Sequence, residues 1–432
     1  MNSDKGRKLS VDEAVALVRR RDEVYAGLAT GQPPGLLEAL GARTDLEEVI
    51  VHSAILVRPF SILWNPAIRN VSGFLGPFER EARKQGSRVE YLSSTFEGGE
   101  LLALRIKPRV VLAATTVPDA DGWMSFGLHS GASFRPFLEA AADPERLAIA
   151  EANPRLPRIL GLDEFGGHRI HVSQVDAWVE NDSELLALPS ETASAEDDKI
   201  AHHVVDQIEP GSTLQFGIGA IPNRIAYLLA HGSAGPYRLH TEMFGDGAMS
   251  LHRAGKIDNR KEVFDGFSVC TFAMGSTELY TWLDRNPEVR MLPVYATNDP
   301  AIVRQLHRFV SVNGALAVDL YGQVAADFIG DRQYSGTGGH ESFIIGARQS
   351  PGGKSFLCLK STAKVDGKAV STISPSLGTD ARITTPRHHV QYVVTEYGSV
   401  DLSTLTDRER PRALIEIAHP DFRDWLRQGV GA

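Results

Sequence analysis

The chain has 432 residues, of which 42% are hydrophobic and 23% are charged, a composition typical of globular proteins. Its 45 Lys and Arg residues against 54 Asp and Glu residues give a net charge of -9, which argues against a nucleic-acid or anionic-membrane surface. The length predicts two domains of roughly 200 residues each.

Targeting and redox signals are sparse. The opening residues contain no apolar run typical of a secretory leader, and no segment approaches the ~18 apolar residues of a membrane span. The two cysteines, Cys270 and Cys358, lie inside apolar runs and do not indicate a disulfide framework. We therefore expect a cytoplasmic protein in a reducing compartment.

The first elements predict an α/β sheet. Ser10 and Glu13 form a capping-box pattern at the start of an amphipathic helix that extends towards Arg20, and a strand is predicted at 24–28. The runs "EVIVHSAILV" and "PRVVLAATTV" are apolar and rich in β-branched residues, which is typical of buried parallel strands. Strands that alternate with helices predict a largely parallel sheet.

The same order of elements recurs from residue 194, in "SAEDDKIAHHVVDQIEPGSTLQFGIGAIPNRIAYLL". Gly27 then matches Gly217, and the Pro33-Pro34 turn roughly matches Pro222. This recurrence predicts two related open α/β domains with mostly parallel sheets flanked by helices. Chance is the alternative, because helix, strand, glycine turn and helix is a common sequence of elements.

The polar, proline-containing stretch "ALPSETAS" at 187–194 is the predicted domain boundary. It divides the chain into an N-terminal domain at 1–190 and a C-terminal domain at 191–432.

A glycine turn occupies "LQFGIGAIPN" at 214–223. Gly217 and Gly219 follow a predicted strand and precede a helix, so backbone N–H groups are free and a ligand can approach closely. The third glycine of a dinucleotide fingerprint and the lysine of a P-loop are both missing. A plain tight turn is the alternative.

A second glycine cluster lies in "SGTGGHESFIIGARQSPGGKSF" at 335–356. The pair Gly338-Gly339 tolerates positive φ and exposes consecutive amides, which suits an anion or an oxyanion. A flexible hairpin explains the same residues without a ligand.

The segment "VVTEYGSVDL" at 393–402 places Glu396 and Tyr397 after an apolar strand. Ligands of open parallel sheets gather at the carboxyl ends of strands, so these side chains are candidates for a site. The alternative is a polar turn with a partly exposed tyrosine.

The stretch "HTEMFGD" at 240–246 centres on Glu242. A deaminase-type zinc site built on His240 and Glu242 needs a Cys-x-x-Cys partner, which the two isolated cysteines do not provide. A His/Glu/Asp cation site and a structural cap on the following turn stay open. The third interpretation is a carboxylate nucleophile, which the apolar flank Met243-Phe244 would shield from water.

Taken in order, these motifs resemble the acetyl-CoA hydrolase/transferase family of class I CoA-transferases, especially its 4-hydroxybutyrate CoA-transferase branch. The resemblance runs nearly end to end, and the order and spacing of the pieces make it specific. The matching pieces are "VPDADGWMSFG", "FGIGAIPN", "HTEMFGDG", "VNGALAVDLYGQV", "SGTGGHESF", "GGKSF", "VVTEYGSVDL" and "RALIEIAHPDFRDWL".

The resemblance implies a ping-pong CoA-transferase with Glu242 as the nucleophile. The glutamate would form an acyl-glutamyl anhydride and then a glutamyl-CoA thioester, with oxyanion donors among the amides near Ile221 and Gly338-Gly339. Glu396 would lie near CoA or substrate. Coenzyme A would be a substrate and not a resident cofactor, no metal is implied, and a homodimer or higher homo-oligomer is expected.

The chain also departs from the family pattern. Many relatives carry Gly-Gly-Gln-x-Asp-Phe, whereas this chain has His340, Glu341 and Ser342 after its glycine pair. Thr372 stands in a segment where relatives often have arginine. One hypothesis is that His340 and Arg348 favour a dicarboxylate acceptor such as itaconate or succinate. The alternative is no effect on specificity.

Three functions remain after the resemblance. The first is acyl-CoA:carboxylate CoA transfer, and the second is acyl-CoA hydrolysis by the same glutamate, with water as the acceptor. A noncatalytic acyl-CoA-binding protein is the third, and the intact Glu242 argues against it because a pure binder needs no nucleophile.

Overall fold

The computed structural model describes residues 5–189, 192–330 and 332–430. The chain forms two compact units. Unit 1 runs through Leu188 and also contains Val269–Thr297, whereas unit 2 contains Pro189–Ser268 and the chain from Asn298 onward. The predicted boundary residues 190 and 191 lie outside the described residues. The chain returns to unit 1 at Val269–Thr297, a segment inside the predicted C-terminal domain.

Unit 1 contains an eight-stranded sheet in which every pair of neighbours is parallel. After Arg21–Tyr25 the next three strands of the sheet are added toward one edge, and after Val110–Thr115 the next two strands of the sheet are added toward the other edge. The strand order therefore reverses between these two neighbouring strands. In spatial order the strands are Arg7–Lys8, Ala177–Glu180, Leu147–Ala152, Val110–Thr115, Arg21–Tyr25, Glu48–Ser53, Ile68–Ser72 and Val89–Tyr91.

Apolar packing on both faces explains the continuous hydrophobic run of the strand Val110–Thr115. Val110 and Leu112 pack into one core cluster, and the alternate residues Val111 and Ala113 pack into another. A strand that is covered on both faces needs apolar residues at every position. The helices of this unit are Val11–Val15, Pro34–Ala42, Pro77–Lys84, Phe96–Ile106, Phe134–Ala142, Thr277–Leu283 and Val294–Thr297.

Unit 2 contains a six-stranded sheet, parallel except for its last pair. Here the strand order reverses between Thr213–Phe216 and Phe309–Gly314. The spatial order is Arg238–Leu239, Thr213–Phe216, Phe309–Gly314, Lys354–Cys358, Tyr392–Thr395 and Gly398–Asp401. The helices are Ala195–Val205, Ala220–His231, Asp246–Arg253, Pro300–Val303, His340–Gln349, Glu409–Glu416 and Arg423–Gln428.

Shorter strands decorate both units. They are Trp123–Ser125, Arg169–His171, Met243–Phe244, Ser268–Cys270, Phe272–Ala273, Val289–Met291, Ala317–Asp319, Val324–Ala325, Phe328–Ile329, Arg332–Gln333, Thr362–Val365, Lys368–Ser371 and Ile373–Ser374.

The predicted fold class is confirmed, because two large and mostly parallel sheets carry flanking helices. The Ser10/Glu13 capping box is present, but its helix ends at Val15, short of the predicted extent. The strand predicted at 24–28 lies at Arg21–Tyr25, because pairing with its neighbour begins at Arg21. Within the described ranges, no helix has the length and apolar character needed to cross a lipid bilayer.

Candidate active site

Glu242 lies at the carboxyl edge of the unit 2 sheet. The strand Arg238–Leu239 pairs in parallel with Thr213–Phe216, and the chain reaches Glu242 three residues after that strand ends. The preceding Thr241 ties the segment to the sheet, because the amide of Phe216 donates to its Oγ1 at 3.3 Å. The half-buried Glu242 carboxylate is therefore held on a short and anchored turn.

Two residues from distant parts of unit 2 converge on this carboxylate. Nδ2 of Asn298, a fully buried residue, donates to Oε2 of Glu242 at 2.5 Å. A Cβ built on Gly339 would lie 2.0 Å from the same oxygen and 2.4 Å from Nδ2 of Asn298. Gly339 has a φ of −88°, so lack of space and not backbone conformation requires glycine there.

The glycine turn at 217–219 lies at the point where the strand order of unit 2 reverses. Gly217 still belongs to the sheet, since its amide donates to the carbonyl of Val312 at 2.9 Å. Gly219 has a φ of +117° and begins the helix Ala220–His231 without a side-chain cap. Ile221 is in the first turn of that helix, where amides have no intrahelical partner. The turn thus presents backbone donors at a typical ligand position.

Gly338 precedes the second helix at this edge and has a φ of +57°. Such a left-handed conformation favours glycine. Gly338 leads directly into Gly339, the N-cap of the helix His340–Gln349, and the Glu242 carboxylate rests against Gly339.

Glu396 follows the strand Tyr392–Thr395 and is 9% exposed. Its Oε2 accepts from the amide of Ser361 at 2.9 Å, and its Oε1 accepts from the hydroxyl of Ser361 at 2.6 Å. These bonds join the loops that follow two neighbouring strands. Tyr397, the next residue, is 39% exposed.

His340 and Glu341 belong to a half-buried polar network around the buried Thr385. Nε2 of His340 lies 3.0 Å from Oγ1 of Thr385, and that hydroxyl donates to Oε2 of Glu341 at 2.8 Å. The other Glu341 oxygen pairs with Nδ1 of His389. Burial lowers the pKa of His340 to about 4, so its ring is neutral at physiological pH.

Arg348 is in the last turn of the helix His340–Gln349. Eight residues of α-helix place it roughly 12 Å along the axis from His340. Its guanidinium donates to the carbonyl oxygen of His388. His340 and Arg348 therefore do not form a cationic pair of the kind that a dicarboxylate acceptor would need beside Glu242.

Ser342 and Thr372, the two residues that depart from the family pattern, are also buried. Ser342 is 3% exposed. Thr372 is 7% exposed, and its hydroxyl donates to the carbonyl of Lys360 at 2.7 Å.

Sequence reasoning missed Asn298. It is 56 residues away from Glu242 along the chain, and it directly precedes Asp299, the N-cap of the short helix Pro300–Val303. The stretch "TNDP" therefore signals a helix start and carries no signal for a partner of a catalytic carboxylate.

This chain is similar to several known proteins along most of its length. A family model described as the acetyl-CoA hydrolase/transferase C-terminal domain matches residues 275–430. The 4-hydroxybutyrate coenzyme A transferase of Clostridium kluyveri is 37% identical, over 98% of this chain and 96% of that protein. The butyryl-CoA:acetate CoA-transferase of Anaerostipes caccae is 34% identical, over 96% and 94%. The crystal structure of RipA from Yersinia pestis has a TM-score of 0.89 at 33% identity, over 98% and 96%.

The fold and these full-length relatives define an enzyme of the CoA-transferase class, which acts on acyl-CoA esters and short carboxylates. The chain belongs to the acetyl-CoA hydrolase/transferase family.

Proposed function

We propose that Glu242 is the nucleophile of an acyl-CoA:carboxylate CoA-transferase. The supporting observation is the half-buried Glu242 carboxylate, held by Asn298 against the bare Cα of Gly339. A carboxylate is a weak nucleophile in water because water solvates it strongly. Partial burial and a fixed orientation remove part of that barrier before the substrate reacts.

The proposed reaction has four acyl-transfer steps. Glu242 attacks the thioester carbonyl and the C–S bond breaks. CoA thiolate is released, and an acyl-glutamyl anhydride is formed. The thiolate attacks the glutamyl carbonyl, which releases the first acid as a carboxylate and leaves a glutamyl-CoA thioester. The acceptor carboxylate displaces the thiolate to form a second anhydride. Attack of the thiolate on the acceptor carbonyl then gives the new acyl-CoA and restores Glu242, so no water is consumed.

Each of these attacks places negative charge on a carbonyl oxygen, and backbone amides are the proposed donors to it. The candidates are the amide of Ile221, in the first turn of an uncapped helix, and the amides of Gly338 and Gly339. Removal of one oxyanion donor typically lowers kcat about 10²–10³-fold.

For the acceptor we propose a short monocarboxylate of the butyrate or 4-hydroxybutyrate type. The neutral His340 ring and the distance of Arg348, at the far end of its helix, leave the dicarboxylate hypothesis without a pair of cations beside Glu242. The two curated relatives named above act, by their names, on 4-hydroxybutyrate, butyryl-CoA and acetate.

Product analysis tests this function. The enzyme is incubated with acetyl-CoA and, in separate reactions, with butyrate, 4-hydroxybutyrate, succinate or itaconate, and the CoA esters are separated by mass. We expect new monocarboxyl-CoA esters to form faster than dicarboxyl-CoA esters. Release of free CoA without a new ester would instead favour the hydrolase. Cytoplasmic location and homodimeric assembly stay predictions.

A further inference from the structure

A group of three arginines, the arginine patch, lies in unit 2 on Arg348, Arg387 and Arg410. Arg348 donates to the carbonyl oxygen of His388, and Nη1 of Arg410 donates to the carbonyl oxygen of Arg387 at 2.8 Å. Two guanidinium groups are thus bound to consecutive peptide carbonyls. The side chain of Arg387 projects from the same turn.

The patch is at the amino edge of the unit 2 sheet. Arg387 precedes the strand Tyr392–Thr395, and Arg348 ends a helix that leads to the strand Lys354–Cys358. Arg410 is in the first turn of the helix Glu409–Glu416. Glu242 follows the carboxyl end of a strand of the same sheet, so the two features are at opposite edges of unit 2.

The partners of these arginines are neutral. Arg410 also donates to the carbonyls of Tyr321 at 2.9 Å and Leu402 at 3.0 Å. Within the described residues, none of the three arginines forms an ion pair, and the neighbouring Glu341 carboxylate is paired with His389. Burial, and then the nearby charges of Arg387 and Arg348, lower the pKa of Arg410.

Such an arrangement costs stability unless an anion compensates it, because like charges at short range repel one another. Arg410 is half-buried and held by carbonyls, so its charge is fixed in position, whereas Arg348 and Arg387 are exposed and accessible. Guanidinium groups bind phosphate oxygens in bidentate geometry, and a phosphate offers enough oxygens and charge for more than one of them.

We propose that the arginine patch binds a phosphate-type anion. Arg348 and Arg387 contact the anion, and Arg410 is the fixed charge behind them. The anion is either a phosphate of the CoA nucleotide or a free phosphate ligand, and the chemistry of recognition is the same for both. The site does not depend on the role of Glu242.

Calorimetric titration of the full chain with inorganic pyrophosphate at low ionic strength tests the proposal. We expect saturable binding to the wild-type protein, weakened about tenfold or more by Arg348→Gln and by Arg387→Gln. Arg382→Gln is the matched control, because Arg382 is an exposed arginine that precedes the same turn but packs over the ring of Phe328 at 4.3 Å. The control keeps wild-type affinity.

Absence of saturable pyrophosphate binding to the wild-type protein would overturn the proposal. So would equal affinity in the wild type, Arg348→Gln and Arg387→Gln. Arg387 is exposed, so its replacement should not unfold the protein. Circular dichroism checks that each variant is folded. The Glu242→Gln variant keeps the patch, so a failure of anion binding and a failure of the nucleophile assignment are read separately.

A second arm identifies the source of the anion. Pyrophosphate is titrated in the presence of saturating CoA and, separately, of dephospho-CoA. If CoA competes and dephospho-CoA competes less, the patch holds the 3′-phosphate of CoA. If both compete equally, it holds the pyrophosphate bridge of CoA. Unchanged pyrophosphate binding in the presence of both assigns the patch to a free phosphate ligand.

Discussion

Nδ2 of Asn298 lies 2.5 Å from Oε2 of Glu242, and a Cβ on Gly339 would overlap both groups. The amide, the carboxylate and the glycine come from three separate segments of unit 2, and each limits where the others can lie. The carboxylate is thus oriented by the folded protein and not by a substrate. A change that disturbs this fixed orientation of Glu242 should therefore slow its attack on the substrate.

Replacement of Asn298 by Ala removes the amide that orients Glu242. We expect kcat to fall about 10²-fold with a smaller change in KM for acyl-CoA, because the loss is in nucleophile geometry. Steady-state kinetics measure this. Asn298→Asp sets a second carboxylate beside Glu242, and repulsion between the two charges raises the pKa of the second ionisation of the pair, so the activity profile shifts to higher pH. Wild-type kcat in Asn298→Ala would show that the contact is incidental.

Gly339→Ala tests the close approach at the site. Its methyl group would lie 2.0 Å from Oε2 of Glu242, so the carboxylate must move and transfer activity should fall at least 10²-fold. Gly314→Ala is the matched control, since a Cβ there meets no atom within 4 Å and its φ is not positive. Equal activity in the two variants would show that the close approach of Gly339 to Glu242 does not matter for transfer.

Glu396→Gln separates a structural role from substrate contact. Glutamine keeps only one acceptor oxygen, so either the N–H or the hydroxyl proton of Ser361 loses its buried acceptor. We expect the free energy of unfolding to fall by about 1–3 kcal/mol, measured by urea denaturation. Ser361→Ala should lower it as well. A large increase in KM for acyl-CoA at unchanged stability would assign Glu396 to the substrate instead.

Glu100 of unit 1 predicts a pH dependence of stability. It is 1% exposed, and burial raises the pKa of its carboxyl to about 8. The folded protein keeps this proton between the ordinary pKa of 4.5 and about 8, whereas the unfolded chain releases it. The contribution of Glu100 to stability is therefore present below 4.5 and is lost as the pH rises to 8.

Glu100→Gln should remove this dependence and raise the free energy of unfolding at pH 8.5 by on the order of 1–3 kcal/mol relative to the wild type. Urea denaturation at pH 5.5 and 8.5 measures the difference. Glu145→Gln, at an exposed position, is the control and should leave the wild-type dependence unchanged. If the free energy of unfolding changed with pH in the same way in Glu100→Gln and the wild type, Glu100 would not be the origin of the pH dependence.

The sequence predicted what depends on local pattern. The continuous apolar run at Val110–Thr115 indicated a strand covered on both faces, and Ser10 with Glu13 indicated a helix start. The start of the strand at Arg21 was missed because charged residues open it, and only pairing with Glu48–Ser53 shows that they belong to the sheet.

Long-range geometry carried no local signal. Asn298 meets Glu242 only because the fold of unit 2 brings two segments 56 residues apart into contact. The neutral state of His340 depends on burial beside Thr385, which the adjacent residues do not encode. Arg348 was predicted to favour a dicarboxylate acceptor together with His340, but the helix His340–Gln349 places the two residues at its opposite ends.

Peptide mapping by mass spectrometry tests whether Glu242 carries first the acyl group and then CoA. The protein is exposed to acetyl-, butyryl- or succinyl-CoA, treated with borohydride to trap the glutamyl thioester, and digested, with Glu242→Gln as the control. We expect a reduced or CoA-derived modification on the peptide that contains Glu242, absent in the variant. Full turnover in Glu242→Gln without a trapped species would contradict this expectation.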